Sequence, residues 1–243
     1  MRTLIIIMLV ICSSIYVNSC VTSNKSVQYD ELKDKIIVDN NSHGLLLEFE
    51  KGKAFNHPTF VIWAEDLDGK YLKTIYITKS YSSGIYANQM HGDTLWLPQQ
   101  GPSYQPAALP YWTHKKGLID NVGLIPTPDH PFVDAYIGAT PQNSFRFETQ
   151  NIDQNYRLLV EVNQAWDWNK FWTNNKYPEN EAYKHSAQPS LIYAVIIDSA
   201  DSVLYLNPIG HGSPTGENGK LYTDLTTITS AKQIFSSIRA LIK

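Results

Sequence analysis

The stretch TFVIWAEDLDGKYLKTIYIT, residues 59–78, decides the fold class. Two runs rich in β-branched and aromatic residues, 59–66 and 70–78, flank the pair Asp68-Gly69. Residues of these types favour strands, and an Asp-Gly pair accepts the positive backbone angles of a tight turn. The stretch therefore predicts two antiparallel strands joined as a hairpin.

Other segments of the chain show the same strand pattern. They are GLLLEFE (44–50), YRLLVEVN (156–163), SLIYAVIID (190–198) and SADSVLYL (199–206), with the last two joined through a turn. The segment AKQIFSSIRALIK (231–243) fits a helix or a strand by its spacing of isoleucines, and we predict a strand because its neighbours are strands. Short strands punctuated by turn residues predict an all-β sandwich rather than alternating helices and strands.

A long segment without a strand pattern, roughly residues 80–130, separates these groups. It is rich in Gly, Pro, Trp and Tyr, as in HGDTLWLPQQGPSYQPAALPYW (91–112). A structureless loop of this length is unusual in a compact domain, so we predict an inserted subregion packed through its aromatic residues. One short helix is expected around Ala107 to Lys116. The subregion is also the expected contact surface for a partner.

The N-terminus has the layout of a secretion signal. MRTLIIIMLVICSSIYVNSC (1–20) carries a positive charge at Arg2 and an apolar run that is too short to span a bilayer. Its last four residues, Val17-Asn18-Ser19-Cys20, resemble the lipobox of bacterial lipoproteins. We therefore predict a lipoprotein signal peptide over 1–19 and acylation of Cys20, which anchors the chain in the lipid bilayer.

The residues after the signal indicate location and domain organisation. Residues 20–41 are mostly polar and predict the lipidated cysteine with a flexible tether, which leaves 42–243 for the β-sandwich domain. Val21 stands where an aspartate would indicate inner-membrane retention, which favours the outer membrane on its periplasmic side. Cys12 leaves with the signal and Cys20 is acylated, so the mature chain is expected to lack a disulfide.

The composition excludes some function classes. The chain has 243 residues, 43% of them hydrophobic, and a formal net charge of -3. This is ordinary globular composition, and the weak acidity gives no reason to expect nucleic acid as a partner. The sequence contains no glycine-rich phosphate loop, no His-Glu-x-x-His, no Cys-x-x-Cys and no nucleophile-elbow motif, so it indicates no enzyme class.

Several segments occur in an order that resembles a known family. They are the hairpin 58–78, LPYW (109–112), VDAYIGATP (133–141), LLVEVNQAWDWN (158–169) and the loop PIGHGSPTGENG (208–219). Over about residues 57 to 242 the chain resembles a family of predicted periplasmic proteins catalogued as domain of unknown function twenty-two seventy-one. The resemblance implies an immunoglobulin-like β-sandwich, similar to the domain that ends flagellar hook-assembly proteins. It implies no activity, and its association with flavin transfer suggests periplasmic redox or envelope proteins as partners.

The segment VDAYIGATP also resembles the sites at which some exported bacterial proteins carry covalent flavin. In those proteins the FMN phosphate is joined to a threonine hydroxyl that has small neighbours and a nearby acid. The matching residues here are Asp134, Gly138, Ala139 and Thr140. Ile137 departs from the small or hydroxyl-bearing residue usual at its position, and Pro141 forces Thr140 toward an extended backbone. The segment is therefore either an FMN attachment point or a corner that leads into a strand, and we favour the corner.

Three tryptophans form a second candidate site. Trp166, Trp168 and Trp172 follow a predicted strand and have Asn and Asp as neighbours. Exposed tryptophans with amide neighbours can stack on sugar rings and bind their hydroxyls. Trp166 and Trp168 also alternate, so they can simply cap the core of the sandwich. We favour core capping over glycan binding.

A metal site is the third candidate, and we do not predict one. Imidazole and carboxylate groups suit zinc, and the chain offers such groups at Asp129, His130, Asp134, His185 and His211. None of them forms a pair at strand or helix spacing. Isolated surface histidines are the favoured interpretation.

The sequence thus supports three functions. The first is a non-catalytic, membrane-anchored accessory or binding β-sandwich of the cell envelope. The second is a covalent FMN carrier, with the cofactor on Thr140, in electron transfer outside the cytoplasm. The third is a glycan-binding lipoprotein.

Overall fold

Two β-sheets packed against each other form the frame of the protein. The computed structural model describes residues 34–37, 44–91, 95–198 and 203–242, and 39% of them lie in strands. The predicted signal peptide and Cys20 lie outside the described residues. The described helices are few and short, so the prediction of a mainly β protein is confirmed.

Strands follow one another along most of the described chain, with short helices between some of them. The strands are β1 (Asp34–Ile37), β2 (Gly44–Lys51), β3 (Thr59–Glu65), β4 (Tyr71–Thr78), β5 (Ile85–Tyr86), β6 (Gln89–His91), β7 (Leu95–Leu97), β8 (Gly101–Pro102), β9 (Tyr136–Gly138), β10 (Phe145–Gln150), β11 (Tyr156–Asn163), β12 (Leu191–Ile197), β13 (Val203–Tyr205), β14 (Asn207–His211) and β15 (Phe235–Ile242). The helices are α1 (Lys79–Ser83), α2 (Pro110–Lys116), α3 (Glu181–Ser186) and a 3₁₀ helix at Ser230–Gln233.

Each main sheet is largely antiparallel. Sheet A has five strands in the order β1-β10-β2-β15-β13, and sheet B has six in the order β14-β12-β11-β3-β4-β9. The pairs β1–β10 and β4–β9 run parallel. The hairpin predicted from residues 59–78 is the pair β3–β4, and Gly69 has a positive φ of 82° in its turn.

The space between the sheets is filled by one aromatic-rich core. Alternate residues of the central strands point into it, as Leu45, Leu47 and Phe49 do in β2. The ring of Phe49 stacks on that of Phe145 from β10, with centroids 4.5 Å apart. Offset aromatic pairs of this kind add to the stabilisation that burial alone provides. The alternation explains why short apolar-aromatic runs fold as the two faces of a sandwich.

A second hydrophobic core lies on the outer face of sheet B. Val61 and Trp63 of β3 point there and are fully buried under Tyr81 and Trp112 of the inserted subregion. The insertion is thus a third layer packed through its aromatic residues, and α2 is the helix expected around 107–116. The aromatic side chains of this second core are buried, whereas Tyr104 of the same subregion is 62% exposed. The subregion as a contact surface for a partner stays a prediction.

Two features of the chain differ from the sequence-based expectation. Asp34–Ile37, within the predicted tether, form β1 and pair with β10, so the folded part reaches beyond residue 42 toward the N-terminus. β13 pairs with β15 in sheet A and not with β12, so the chain passes from one sheet to the other between β12 and β13. Both pairings join residues that are distant in sequence, and a strand pattern does not specify its partner.

Candidate functional site

A concave cleft of about 770 Å³ lies beside the end of β14, the edge strand of sheet B. Its walls are the segments 171–180 and 211–227. The lining combines aromatic rings with carboxylate, amide and hydroxyl groups. Its volume falls in the range typical of small-molecule sites, and mixed linings of this kind are common in them.

Stacked rings form the base of the cleft. His211 and Tyr222 exchange two backbone hydrogen bonds, of 2.8 and 2.9 Å, and their rings stack with centroids 5.2 Å apart at an angle of 10°. Trp172 meets the His211 ring in a T-shaped contact at 5.9 Å. Trp172 and His211 are buried, whereas Tyr222 is 37% exposed. The tyrosine is therefore the accessible member of the stack.

The His211 ring has a defined hydrogen-bonding state. Its Nδ1 lies 2.8 Å from the carbonyl oxygen of Gly212, and a carbonyl only accepts, so Nδ1 carries the proton. Burial lowers the pKa of His211, and the bond to Gly212 and the charge of Asp224 oppose this shift. The ring is therefore neutral near neutral pH, and Nε2 is an acceptor.

The aromatic wall of the cleft holds a cation. Phe171 is 48% exposed, and the Lys176 ammonium lies over its ring, 3.4 Å from the centroid. The same ammonium lies 4.9 Å from the centroid of Trp172. A cation at such a position is attracted by the negative face of the ring. The faces of Phe171 and Trp172 are thus suited to an ammonium group.

Three carboxylates, those of Glu179, Glu217 and Asp224, line the same cleft. Among the residues that the structure describes, none of the three has a Lys or Arg at ion-pair distance. Asp224 Oδ1 accepts bonds from the hydroxyl and the backbone N–H of Thr226, at 2.7 and 2.9 Å, and these bonds lower the pKa of Asp224. Three carboxylates against one lysine make the lining acidic.

Asn169 ties the two walls of the cleft together. Its Oδ1 accepts hydrogen bonds from the backbone N–H of Phe171 at 2.8 Å and of Trp172 at 2.7 Å. Its Nδ2 donates to the carbonyl of Thr227 at 2.8 Å and to the hydroxyl of Thr229 at 3.0 Å. One side chain thus fixes both segments relative to each other.

A polar network continues behind Asn169. Gln188 is fully buried, and its Nε2 donates to the carbonyl of Asp167 at 3.0 Å and to the hydroxyl of Ser230 at 2.5 Å. Its Oε1 accepts from the backbone N–H of Thr229 at 2.7 Å. The Ser230 hydroxyl also bonds to the Asp167 carboxylate. Asp167 Oδ2 is buried without a hydrogen-bond partner among the described residues. The bonds made by Gln188 and Ser230 nevertheless exist without a ligand, so they hold the cleft in place before any ligand arrives.

The glycine-rich loop of the cleft is held against the inserted subregion. Gly216 has a φ of 75°, and a Cβ there would lie 2.5 Å from the backbone of Pro106. A Cβ at Gly219 would collide with the Cβ of His114 on α2. Side chains at these two positions would clash, so the glycines serve close packing as well as turn formation.

A buried glutamate joins α2 to sheet B next to this loop. Leu109 cannot cap α2 with its side chain, and Glu161 of β11 replaces the cap by accepting from the backbone N–H groups of Tyr111 at 3.1 Å and Trp112 at 2.7 Å. The Ser190 hydroxyl donates to the same carboxyl at 2.5 Å. Burial raises the pKa of Glu161 to about 7, and the three hydrogen bonds oppose this shift.

Thr140 lies two residues beyond β9, and its hydroxyl contacts the residue that precedes β3. It follows β9, which is the last strand of the sheet, whereas the cleft adjoins β14, the first. Asp134, Gly138, Ala139 and Thr140 are not among the residues that line the cleft. The flavin motif and the cleft are therefore separate places on the molecule.

The segment around Thr140 has a structural role of its own. A Cβ on Gly138 would lie 2.7 Å from the ring of Tyr76, whose hydroxyl donates to the carbonyl of Ala139 at 2.9 Å. Thr140 is partly buried, and its hydroxyl donates to the carbonyl of Pro58 at 3.2 Å. Asp134 and Ala139 are exposed. These contacts hold the chain in a corner between β9 and β10, at which Ala139 is exposed.

The three predicted tryptophans do not form one platform. Trp172 belongs to the main core and also lines the cleft. Trp168 packs against the main core and meets Tyr183 in a T-shaped contact at 5.7 Å. Trp166 has a positive φ of 62° and is not part of the cleft lining. Core packing and a position in the candidate site thus coincide only at Trp172.

The candidate metal ligands are not brought together. Within the described ranges no group of three His, Cys, Asp or Glu side chains is placed to hold a metal ion. His130 lies 3.7 Å from Asp120, whereas His185 lies on α3 and His211 in the cleft. The expectation of a surface histidine is wrong for His211, which is 7% exposed because it packs between aromatic rings.

Most of the cleft is not predicted by the sequence. The pattern around His211 predicts only a glycine-rich loop, and it does not single out Tyr222. The available signal is the concentration of Gly, Asn, acidic and aromatic residues over 210–224, directly after a strand end. Loops at strand ends of rigid sheets are common positions for binding residues.

No known protein family, curated protein or solved structure matches the chain. The resemblance based on the ordered motifs therefore stays a prediction. Of the described helices, none is long and apolar enough to span a membrane.

Proposed function

We propose that this protein is a membrane-anchored, non-catalytic binding protein of the bacterial cell envelope, and that its ligand is a glycan held in the cleft. The observation that carries the proposal is the placement of the exposed rings of Phe171 and Tyr222 beside Glu217, Asn218 and Asp224. Sugars offer apolar C–H faces that pack on aromatic rings. Their hydroxyls bind to carboxylate and amide groups.

The rigidity of the cleft supports a binding role. Asn169 and Gln188 fix both walls through hydrogen bonds that exist without a ligand. A site that is organised beforehand loses less conformational entropy on binding, which favours affinity.

The anchor and the location are proposals from the sequence. The lipobox ending at Cys20 supports acylation there, insertion of the acyl chains into the lipid bilayer, and retention at the periplasmic side of the outer membrane. Periplasmic redox or envelope proteins are proposed as partners on the family resemblance alone.

We also propose that the sandwich is immunoglobulin-like. This class is supported by two largely antiparallel sheets that enclose one core. One side of the core is formed by β2 and β15, and the other by β3, β4, β11 and β12. The parallel pairs β1–β10 and β4–β9 are additions at the sheet edges.

The test is a glycan array probed with the full-length chain in detergent micelles, followed by titration calorimetry on the glycans that bind. Phe171→Ala should weaken binding about tenfold or more, since a stacking ring contributes about 0.5–1.5 kcal/mol beyond the burial of its surface, and about 1.4 kcal/mol is tenfold. The matched control is Tyr104→Ala, which removes a ring that is 62% exposed and lies outside the cleft lining. Binding that survives Phe171→Ala, or an array without any bound glycan, contradicts the proposal.

The covalent FMN carrier is the second candidate. The observation in its favour is that Asp134 and Ala139 are exposed next to Thr140 at a sheet edge, where a transferase has access. The full-length chain is produced with a flavin transferase and FAD, denatured and analysed by mass spectrometry. A phosphoester-linked FMN on Thr140 would establish this function, and its absence supports the corner.

A further inference from the structure

We propose that the glycan bound in this cleft carries free amino groups, so that the site recognises an amino-sugar oligomer in its ammonium form. This inference rests on the proposed function and adds the charge of the ligand. The juxtaposition that carries it is the Lys176 ammonium on the faces of Phe171 and Trp172, in a cleft whose other charged side chains are carboxylates.

The charge of the lining favours a cation. Glu179 and Glu217 are exposed carboxylates of the lining, and Asp224 adds a third. Within the part of the chain that the structure describes, no lysine or arginine pairs with them. Burial lowers the pKa of His211, which disfavours a positive charge on this ring. Once the Lys176 ammonium has moved into water, carboxylates dominate the charge of the cleft, and concave surfaces with one sign of charge concentrate counter-ions.

Lys176 shows where a ligand ammonium can lie. Its Nζ lies 3.4 Å from the Phe171 centroid and 4.9 Å from the Trp172 centroid, in the position of a bound cation. The ammonium sits on a flexible four-carbon stem, so it can move into water. A ligand ammonium can then take the same ring faces with the carboxylates nearby. In this exchange Lys176 is an internal competitor of the ligand.

An acidic glycan fits this arrangement poorly. Its carboxylates would face Glu179, Glu217 and Asp224, with Lys176 as the single lysine or arginine of the lining. Like charges brought close together in a partly desolvated site are unfavourable. The lining therefore discriminates against uronic and sialic acids.

Two oligomers of equal length test the inference, one of β-1,4-linked glucosamine and one of its fully N-acetylated counterpart. Titration calorimetry uses the full-length chain in detergent micelles at mildly acidic pH, where the glucosamine amines are charged. The amine oligomer should bind about tenfold more tightly, because a cation–π contact and nearby carboxylates act on the charged form only. The difference should shrink at high salt, since salt screens charges at exposed sites.

Two pairs of variants separate the roles of the charged residues. Lys176→Met removes the competing ammonium and keeps an apolar side chain of similar length, so the amine oligomer should bind a few-fold more tightly. Its control is Lys170→Met, which changes an exposed lysine outside the cleft lining. Glu217→Gln should weaken binding of the same oligomer a few-fold, with the exposed Asp129→Asn as its control.

Each outcome decides a different claim. If the N-acetylated oligomer binds as tightly as the amine, or if Lys176→Met weakens the amine complex, the ammonium inference is wrong while the proposed glycan-binding function stands. The inference also fails if neither oligomer binds and the array identifies only acidic or neutral glycans whose binding depends on Phe171. If no glycan binds at all, the proposed function fails with it.

Discussion

The buried carboxyl of Glu161 predicts a specific dependence of stability on pH. Its pKa is about 7 in the folded protein because of burial, against an ordinary value of 4.5. A raised pKa means that the folded state holds the proton more tightly than the unfolded state. The contribution of Glu161 to stability is therefore fully present below about pH 4.5 and is lost as the pH rises through about 7. A pKa difference of one corresponds to about 1.4 kcal/mol, so the total loss is about 3 kcal/mol.

Glu161→Gln removes the titrating group and keeps the shape of the side chain. The amide has only one acceptor oxygen, so one of the three donors from Tyr111, Trp112 and Ser190 loses its partner at every pH. That loss costs about 1–3 kcal/mol and makes the variant less stable than wild type near pH 5. Near pH 8 the wild type has lost its pH-dependent term, so the two free energies of unfolding should meet or cross.

Urea denaturation of the full-length chain in detergent, across this pH range, measures the effect. The informative quantity is the difference in free energy of unfolding between wild type and variant, because groups that titrate independently of Glu161 cancel in it. Glu217→Gln, which changes an exposed glutamate, is the control and should shift stability by less than about 0.5 kcal/mol at all pH values. Parallel pH curves for wild type and Glu161→Gln would show that Glu161 does not carry this pH dependence.

Three other substitutions test the lipid anchor, the corner at Thr140 and the anchoring of the cleft walls. Cys20→Ala should abolish incorporation of labelled fatty acid, and label retained in that variant would contradict the lipoprotein prediction. Thr140→Ala should cost only about 0.5–1.5 kcal/mol in thermal or urea unfolding, the value of its hydroxyl bond to the carbonyl of Pro58, and a much larger loss would show a different role. Asn169→Ala should weaken glycan binding about tenfold or more, because the side chain that joins both walls of the cleft is lost. The control Asn174→Ala, at an exposed asparagine, should leave the affinity unchanged.

The strands that the sequence predicted well are those whose pattern is local. β3, β4 and β11 alternate or concentrate apolar residues over a few positions, and the Asp68-Gly69 turn fixes the register of one hairpin. Such signals depend on neighbouring residues only. The short helix α2 was also predictable, because Pro110 suits the first turn of a helix.

The features that the sequence did not predict depend on distant partners. β1 forms because β10, more than a hundred residues later, offers an edge. In the sequence, Glu161 is a single polar residue within a strand pattern. It caps α2 only because the inserted subregion packs beside β11 and brings the backbone of Trp112 to its carboxyl group. The cleft joins Trp172 to His211 and Tyr222, which lie in a different segment of the chain. Contacts between such segments are a property of the tertiary fold.

A crystal structure of the full-length protein with the tightest-binding glycan from the array would show whether a glycan binds in the cleft. We expect a sugar ring packed on Phe171 or Tyr222, with hydroxyl or amino groups bonded to Glu217 or Asp224. A glycan bound at another surface, with the Lys176 ammonium still seated on Phe171 and Trp172, would contradict this expectation.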